Sequence, residues 1–226
     1  MTAMLHIGRA LDPESLDRVR ARLDGATWRD GRATAGNLSG AVKKNRQLAE
    51  DDPLAAELGG AILDALARHA LFVSAALPAA LSPPIFNHYG EGESYGDHID
   101  GAIRPLARGR MRTDLSATLF LDDPDAYDGG ELVIAGAGEE RLVKLAAGDL
   151  VLYDATSIHH VAPVTRGRRR AAVFWVQSMV RDGARRAALH SLDLSIQRLR
   201  GIEAAAAEVL PLTALYHNLL RMWAEP

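Results

Sequence analysis

The sequence predicts a mostly β protein, an antiparallel sandwich or jelly roll flanked by helices at both ends. The middle of the chain, residues 83–180, contains seven short β-like runs separated by turn signals, a pattern typical of sandwiches and barrels. Residues 1–80 and 182–226 instead carry apolar side chains at helical spacing. With 226 residues, the chain is long enough for one compact domain with helical additions.

Two helices are predicted in the N-terminal segment, residues 1–80. The first begins at Pro13 and ends at Gly25, and the second begins at Pro53; an aspartate precedes each proline and can cap the helix. Between them, "GNLSGAVKKNRQL" is polar and contains glycine, so we interpret it as a mobile connection or an edge strand. The prolines of "LPAALSPPIF" cannot continue a helix and mark the boundary with the core.

The predicted core spans residues 81–181, and the helical extension spans residues 182–226. The core strands are predicted at "IFNHY", "LSATLFL", "GELVIAG", "RLVKL", "DLVLYDA", "HHVAPV" and "RAAVFWVQSMV". The extension carries two apolar stripes, the second one after Pro211: Leu189, Leu192, Ile196 and Leu199, then Leu212, Leu215, Leu219 and Met222. These stripes would pack against the core or a second subunit, which leaves a homo-oligomer through the C-terminal helices open.

The charge, the hydrophobic pattern and the absence of cysteine limit the classes of function that this chain can have. The net charge of −3 provides no overall attraction to nucleic acid or to an anionic membrane. No apolar run approaches the roughly 18 residues of a transmembrane helix, and the N-terminus lacks the features of a secretory signal, so we expect a cytoplasmic protein. Because cysteine is absent, a metal would have to be bound by histidine, carboxylates or water.

The stretch "YGEGESYGDHIDG" contains a His-x-Asp dyad, His98 and Asp100. Residues two apart in a strand point to the same face, so both side chains could bind one metal ion. In this composition about one such dyad is expected by chance, so a third ligand is needed to make the pattern specific. The candidates are His159 and His160, and at most one of them faces inward because neighbouring strand residues face opposite ways.

A hairpin turning at residues 165–167 would place His159 opposite Val173, on the face that also carries Arg169. The separation between His159 and Arg169 would then be about four residues, or roughly 13 Å. A long arginine side chain and a short dicarboxylate bound to the metal could span that distance. Arginine suits this task because its planar guanidinium binds a carboxylate through two hydrogen bonds.

Two basic runs allow more than one interpretation. In "RGRRR", strand alternation points Arg168 and Arg170 outward, so we interpret the run as a solvated strand face rather than a nucleic-acid patch. In "KKNR", residues 43–46, cationic side chains on an N-terminal segment could help to recognise an acidic or peptide substrate. A solvated loop is the simpler interpretation of this second run.

Two histidines and one carboxylate with open positions form the facial triad of non-haem Fe(II) oxygenases. "YGEGESYGDHID" resembles the Tyr-x-x-Gly-x-x-Tyr-x-x-His-x-Asp pattern of prolyl-4-hydroxylase-like, Fe(II)- and 2-oxoglutarate-dependent dioxygenases. "DGGEL" resembles the Gly-Gly-Glu turn of that superfamily, and the spacing from His159 to Arg169 resembles its distal half. Over essentially its whole length, the chain is most similar to bacterial PKHD-type hydroxylases, including "LFLDDPDAYDGGELVI", "LVLYDATSIHHVAPVTRGRRRAAVFWVQSMVRD" and the helical tail.

This resemblance implies a double-stranded β-helix core, a jelly roll of the cupin-like kind, with an iron site and no further catalytic residue. The implied ligands of Fe(2+) are His98, Asp100 and His159. Arg169 is implied to bind the far carboxylate of 2-oxoglutarate, and Tyr89 to lie near that co-substrate. Tyr95 and Trp175 are expected to line the pocket.

The implied reaction converts 2-oxoglutarate and O2 to succinate and CO2 while a substrate is hydroxylated, with L-ascorbate as a plausible helper. The carboxylate of Asp100 favours hydroxylation, because the halogenases of the family have a small residue there. The substrate is not predicted, since its choice lies in loops such as residues 30–48.

Three other functions fit parts of the sequence. A non-catalytic iron or 2-oxoglutarate sensor would use the same pocket without turnover. A cupin-like metal hydrolase or isomerase would not need Arg169 and would tolerate zinc. A nucleic-acid demethylase would need a positive groove, which the net charge of −3 does not support.

Overall fold

The computed structural model describes residues 4–34, 40–136 and 138–225. The predicted connection "GNLSGAVKKNRQL" therefore lies partly outside the described residues. Within them, the α-helices are α1 Pro13–Asp24, α2 Pro53–Ala67, α3 Ala70–Ala76, α4 Gly183–Leu199 and α5 Ala206–Trp223. The strands are β1 Met4–Ile7, β2 Arg29–Asp30, β3 Lys43–Lys44, β4 Arg46–Gln47, β5 Pro78–Leu81, β6 Ile85–Tyr89, β7 Ser94–His98, β8 Ile103–Pro105, β9 Arg110–Arg112, β10 Leu115–Phe120, β11 Tyr127–Gly129, β12 Leu132–Ala135, β13 Glu140–Val143, β14 Leu150–Asp154, β15 His159–Val161, β16 Val164–Gly167 and β17 Arg169–Ser178.

Two antiparallel sheets form the core. The large sheet has the strand order β1-β14-β10-β17-β6-β4-β2, with β5 paired to the end of β17. The smaller sheet has the order β13-β12-β15-β7-β3. Two short pairs, β11 with β16 and β8 with β9, complete the β structure of the described residues. The predicted mostly β fold with flanking helices is confirmed.

The helices α1 and α2 begin where the sequence predicts. The side chain of Asp12 accepts a hydrogen bond from the Ser15 amide, and Asp52 does the same for Leu54, so each caps the first turn behind a proline. Both helices place their apolar stripes on the outer face of the large sheet. That layer is closed by leucine, isoleucine and phenylalanine side chains that are almost fully buried: Leu16, Leu23, Leu58, Ile62, Leu66 and Phe72.

Strand alternation separates this helical layer from the interior of the sandwich. In β10, Leu115, Ala117 and Leu119 pack towards the helices, whereas Phe120 belongs to the cluster between the sheets. Because side chains alternate along a strand, the large sheet has one face in the apolar helical layer and the other facing the smaller sheet. The second face carries the cavity described below.

The structure differs from the prediction at both ends of the chain. The N-terminal segment is not only helical, because β1 pairs with β14 and β4 pairs with β6 in the large sheet. The edge-strand alternative for "GNLSGAVKKNRQL" is confirmed at Lys43–Lys44, since β3 pairs with β7 at the end of the smaller sheet. The solvated-loop interpretation of "KKNR" is wrong, because Lys43, Lys44 and Arg46 lie in strands and Lys43 is 6% exposed. The last helix begins at Ala206, before Pro211 rather than after it. The hairpin β8–β9 was missed, because its basic sequence has no apolar alternation.

The helix α4 covers the end of the large sheet next to α3. Leu189 packs with Leu77 and Val180, and α5 adds Leu219 and Trp223 to this cluster. Within the described residues no single helix is long and apolar enough to span a membrane; only α2 and α3 taken together, at an 86° bend, reach that length and composition. The division at residues 80/81 and 181/182 stays a prediction.

Candidate active site

A cavity of about 280 Å³ opens between the two sheets. It is lined by all seven residues that the sequence analysis selected for the site: Tyr89, Tyr95, His98, Asp100, His159, Arg169 and Trp175. They come from β6, β7, β15 and β17 and from the loop that follows β7. Residues separated by more than 80 positions in the chain therefore meet in one space.

The two histidines meet because their strands are neighbours in the smaller sheet. His159 of β15 lies directly opposite His98 of β7 in the antiparallel register, and their ring centroids are 4.2 Å apart. Asp100 follows the last residue of β7, and its Oδ2 is 3.8 Å from His159 Nε2. One potential ligand atom from each of the three residues lies within 4.8 Å of the other two, so a single metal ion could bind all three.

Backbone carbonyl groups orient both imidazole rings. His98 Nδ1 lies 2.9 Å from the oxygen of Gly96, and His159 Nδ1 lies 3.0 Å from the oxygen of Ser157. Since a carbonyl only accepts hydrogen bonds, Nδ1 carries the proton in each ring and Nε2 keeps its lone pair for a metal. Burial, and after it the nearby His159, lowers the pKa of His98 to about 4, so the ring is neutral at pH 7, as a ligand must be.

The carboxylate of Asp100 is fixed from the large sheet. The hydroxyl of Ser116, a fully buried residue of β10, donates a hydrogen bond of 2.5 Å to Asp100 Oδ2. A hydrogen bond of this kind orients a metal ligand and limits its rotation. Ser116 was not predicted from the sequence, because a serine at an inward position of a strand gives no signal before its neighbours are known.

Arg169 provides a buried positive charge at the other end of the cavity. It is 1% exposed, and its guanidinium carbon lies 5.3 Å from the Tyr89 ring centroid and 5.2 Å from that of Phe120. Within the described ranges no carboxylate lies within 4.0 Å of it, and its Nε has no hydrogen-bond partner. A buried guanidinium without a carboxylate partner is costly, so this position is suited to an anionic ligand such as a dicarboxylate.

The Gly-Gly-Glu turn makes room for this arginine. Gly129 and Gly130 have φ values of +70° and +67°, in the region that favours glycine. A Cβ on Gly129 would lie 2.1 Å from the carbonyl oxygen of Pro163, and one on Gly130 would lie 3.1 Å from Arg169 Cδ. The second glycine therefore leaves the volume that the arginine side chain occupies.

Aromatic side chains cover the remaining walls. Tyr95 stacks on the imidazole of His98 at a centroid distance of 3.7 Å. Tyr89 lies opposite Arg169 in the β6–β17 register, and burial raises its pKa to about 12, so its hydroxyl remains protonated. Trp175 is 6% exposed and lies opposite Ser116. The expectation that Tyr95 and Trp175 line the pocket agrees with these positions.

The hairpin assumed between the second histidine and the arginine was wrong. His159 pairs with His98 and Ile134 in the smaller sheet, whereas Arg169 and Val173 belong to the large sheet. The chain crosses from one sheet to the other after Val161, so the two residues approach the cavity from facing sheets. His159 lines the cavity, whereas His160 points away from it, with its Nδ1 2.8 Å from Asp97 Oδ1.

The interpretation of "RGRRR" as a solvated face was wrong for Arg170. This residue is 3% exposed, and its guanidinium donates to Asp122 at 2.7 Å and to Asp24 at 2.8 Å. It points out of the sandwich as alternation predicts, but α1 covers that face and supplies Asp24. Arg168 is half exposed and also pairs with Asp24, at 2.7 Å. The run therefore presents no free basic patch.

Two cationic residues in the cavity had no assigned role. Lys43, at the start of "KKNR", is 6% exposed, and Arg104 lies on the hairpin that was not predicted. The segment 30–48, in which the sequence predicted substrate choice, reaches the cavity through Lys43 and Gln47. Residues 35–39 of that segment lie outside the described residues.

Comparisons with known proteins place this chain in a family. Residues 84–177 match the model of the 2OG-Fe(II) oxygenase superfamily, and residues 182–225 match the C-terminal domain of PKHD-type hydroxylases. A PKHD-type hydroxylase of Burkholderia thailandensis is 54% identical over 226 residues, covering 98% of this chain and 99% of the relative. One from Bordetella pertussis is 51% identical over 224 residues with the same coverage.

Solved structures agree on the fold. A prolyl-4-hydroxylase of Pseudomonas putida superposes with a TM-score of 0.53 at 20% identity, covering 79% of this chain and 94% of that one. A 2OG-Fe(II) oxygenase family oxidoreductase of Burkholderia pseudomallei has a TM-score of 0.54 at 20% identity, covering 77% and 82%. These neighbours have the predicted jelly-roll core. From the near full-length relatives and the two family models together, we conclude that this chain belongs to the PKHD-type hydroxylases, enzymes of the 2OG-Fe(II) oxygenase superfamily.

Proposed function

We propose that this enzyme hydroxylates a substrate with conversion of 2-oxoglutarate and O2 to succinate and CO2. In this proposal His98, Asp100 and His159 bind Fe(II), and Arg169 binds the far carboxylate of 2-oxoglutarate. The observation that carries the proposal is that one cavity contains three metal-ligand groups within 4.8 Å of one another and a buried arginine with no carboxylate partner among the described residues.

Each part of the cavity has a separate task. Bound Fe(II) would supply the activation of dioxygen, and the two Nδ1 hydrogen bonds and Ser116 would keep the ligands in the form and orientation that it requires. Arg169 would orient the co-substrate through a charge-assisted pair of hydrogen bonds. The aromatic walls would exclude water from the reacting atoms, which prevents side reactions. Tyr89 is proposed to line the co-substrate end.

The test begins without oxygen. Fe(II) and 2-oxoglutarate are added to the metal-free protein, and the weak visible charge-transfer band of the chelate is recorded. Oxygen is then admitted and succinate is quantified. We expect the band and succinate in the wild type and in His160→Ala, whose side chain lies outside the cavity, but neither of them in His159→Ala.

The outcomes separate the competing functions. Arg169→Ala should form the band only at much higher 2-oxoglutarate concentrations. A band without succinate, under the same conditions and with candidate substrates present, would favour the non-catalytic sensor. Absence of the band in the wild type would contradict the assignment of the metal ligands. Support by L-ascorbate, a cytoplasmic location and oligomerisation through the C-terminal helices remain predictions.

A further inference from the structure

One end of the cavity carries two cations that the proposed iron and 2-oxoglutarate sites do not use. Lys43 and Arg104 both line the cavity, and Arg104 contacts Trp175. Trp175 and Arg169 lie on the same face of β17, six residues apart, which corresponds to about 20 Å. Arg104 therefore lies at the end of the cavity away from Arg169.

Arg104 is held in place without a hydrogen-bond partner for its charge. Its guanidinium carbon lies 3.8 Å from the centroid of the Trp175 ring, a stacking contact that fixes the side chain. Within the described part of the chain its guanidinium makes no hydrogen bond. The carboxylate of Glu50 is 3.9 Å away and 62% exposed, beyond hydrogen-bond distance. A fixed guanidinium with available N–H groups is a binding site for a planar oxyanion.

Lys43 lies next to the metal ligands on the neighbouring strand. Its Nζ is 5.1 Å from the ring centroid of Tyr95, which in turn stacks on His98. Burial, and after it the positive charge of Arg104, lowers the pKa of Lys43 to about 8, so the amine is still mostly protonated at pH 7. Two positive charges therefore belong to this end of the cavity.

With Fe(II) and 2-oxoglutarate bound, the cavity would keep a net positive charge. Its lining contains the three cations Lys43, Arg104 and Arg169 and the single carboxylate of Asp100. Fe(II) adds two positive charges and 2-oxoglutarate adds two negative ones, so the lining and its ligands together keep a net charge of about +2. The exposed carboxylate of Glu50, 3.9 Å from Arg104, lowers this to about +1. A neutral substrate would leave Arg104, whose side chain is 24% exposed, with only the exposed carboxylate of Glu50 at 3.9 Å and without a hydrogen-bonded partner.

We propose that the prime substrate carries a carboxylate that Arg104 binds, with Lys43 beside it. The inference rests on the proposed function and names the substrate class. Trp175 lies opposite Ser116, which holds Asp100, so a carboxylate on Arg104 lies close to the metal ligands. The carbon atoms next to that carboxylate then face the iron site. Arg104 is thereby a specificity-determining residue, and Lys43 adds attraction for the same charge.

The test measures binding without turnover. Protein loaded with Zn(II), which has no redox chemistry, and saturated with 2-oxoglutarate is titrated calorimetrically with matched acid and amide probes. N-acetyl-aspartate amide and N-acetyl-glutamate amide are compared with the asparagine and glutamine forms, and N-acetyl-alanine is compared with its amide. These pairs separate a side-chain carboxylate from a terminal one. The proteins are wild type, Arg104→Gln and the control Arg110→Gln, which changes an exposed arginine of the same hairpin outside the cavity lining.

The expected result is that at least one acid binds the wild type about tenfold or more tightly than its amide. Arg104→Gln should abolish this preference, whereas Arg110→Gln should keep it. Equal binding of acids and amides, absence of acid binding, or an unchanged preference in Arg104→Gln would overturn the inference.

A 2-oxoglutarate titration of the same proteins separates the two proposals. Equal 2-oxoglutarate affinity in the wild type and Arg104→Gln shows that the variant is folded and that its co-substrate site is intact. If the wild type binds 2-oxoglutarate but does not prefer any acid over its amide, only the carboxylate inference fails. If the wild type itself does not bind 2-oxoglutarate, the proposed function fails.

Discussion

Replacement of Gly130 by alanine tests how the turn after β11 supports the proposed co-substrate site. Gly130 has a φ of +67°, and an added Cβ would lie 3.0 Å from Val164 Cγ2 and 3.1 Å from Arg169 Cδ. Ordinary contacts of this kind are 3.4–4 Å long. The arginine side chain must therefore move by a few tenths of an ångström or the turn must distort. Gly138, with a φ of +96° and no atom within 4 Å of its Cβ position, is the matched control.

The expected magnitudes follow from these distances. A non-glycine residue at positive φ costs about 1–2 kcal/mol of unfolding free energy, which applies to both variants. Crowding adds roughly 1–3 kcal/mol in Gly130→Ala alone. A hydrogen bond to a charged group contributes about 1.5–3 kcal/mol, and losing half of it weakens 2-oxoglutarate binding roughly 3- to 13-fold. Gly138→Ala should bind 2-oxoglutarate as the wild type does.

Two measurements on each variant are sufficient. Urea unfolding gives the loss of stability, and titration of the Zn(II)-loaded protein gives the 2-oxoglutarate affinity. The reasoning would be refuted if folded Gly130→Ala bound 2-oxoglutarate with wild-type affinity. It would also be refuted if Gly138→Ala lost as much affinity, because a general loss of stability would then explain both results.

Other contacts give further predictions. Asp122→Asn should lower the unfolding free energy by roughly 3 kcal/mol, because the buried guanidinium of Arg170 loses its main partner. Asp128→Asn, which weakens an exposed pair with Arg166, should cost less than about 1 kcal/mol. Similar urea midpoints for the two variants would contradict this prediction. Ser116→Ala should weaken metal binding about 10- to 100-fold in a Zn(II) titration, and an unchanged affinity would show that the hydroxyl does not orient the carboxylate. Phe72→Ala, at a fully buried position against the large sheet, should cost about 3–5 kcal/mol, and a loss below 1 kcal/mol in urea unfolding would argue against tight packing there.

Much of the candidate site was predictable because its signals are local. Strand alternation predicted that at most one of His159 and His160 faces inward, and the resemblance, through the spacing to Arg169, selected His159. The motif "YGEGESYGDHID" indicated the other two candidate ligands, His98 and Asp100. Arg104 was not predictable, because its role depends on a stacking contact with Trp175, 71 positions later in the chain.

The sequence by itself determined where α1 and α2 begin, how side chains alternate along β17 and which residue types form the candidate metal site. These features depend on capping and alternation, which act over a few residues. Only the tertiary structure decided that His159 lies opposite His98 rather than opposite Val173, and that α1 buries Arg170. Strand partners and covered faces are chosen by packing between distant segments, and no short window of sequence contains that information.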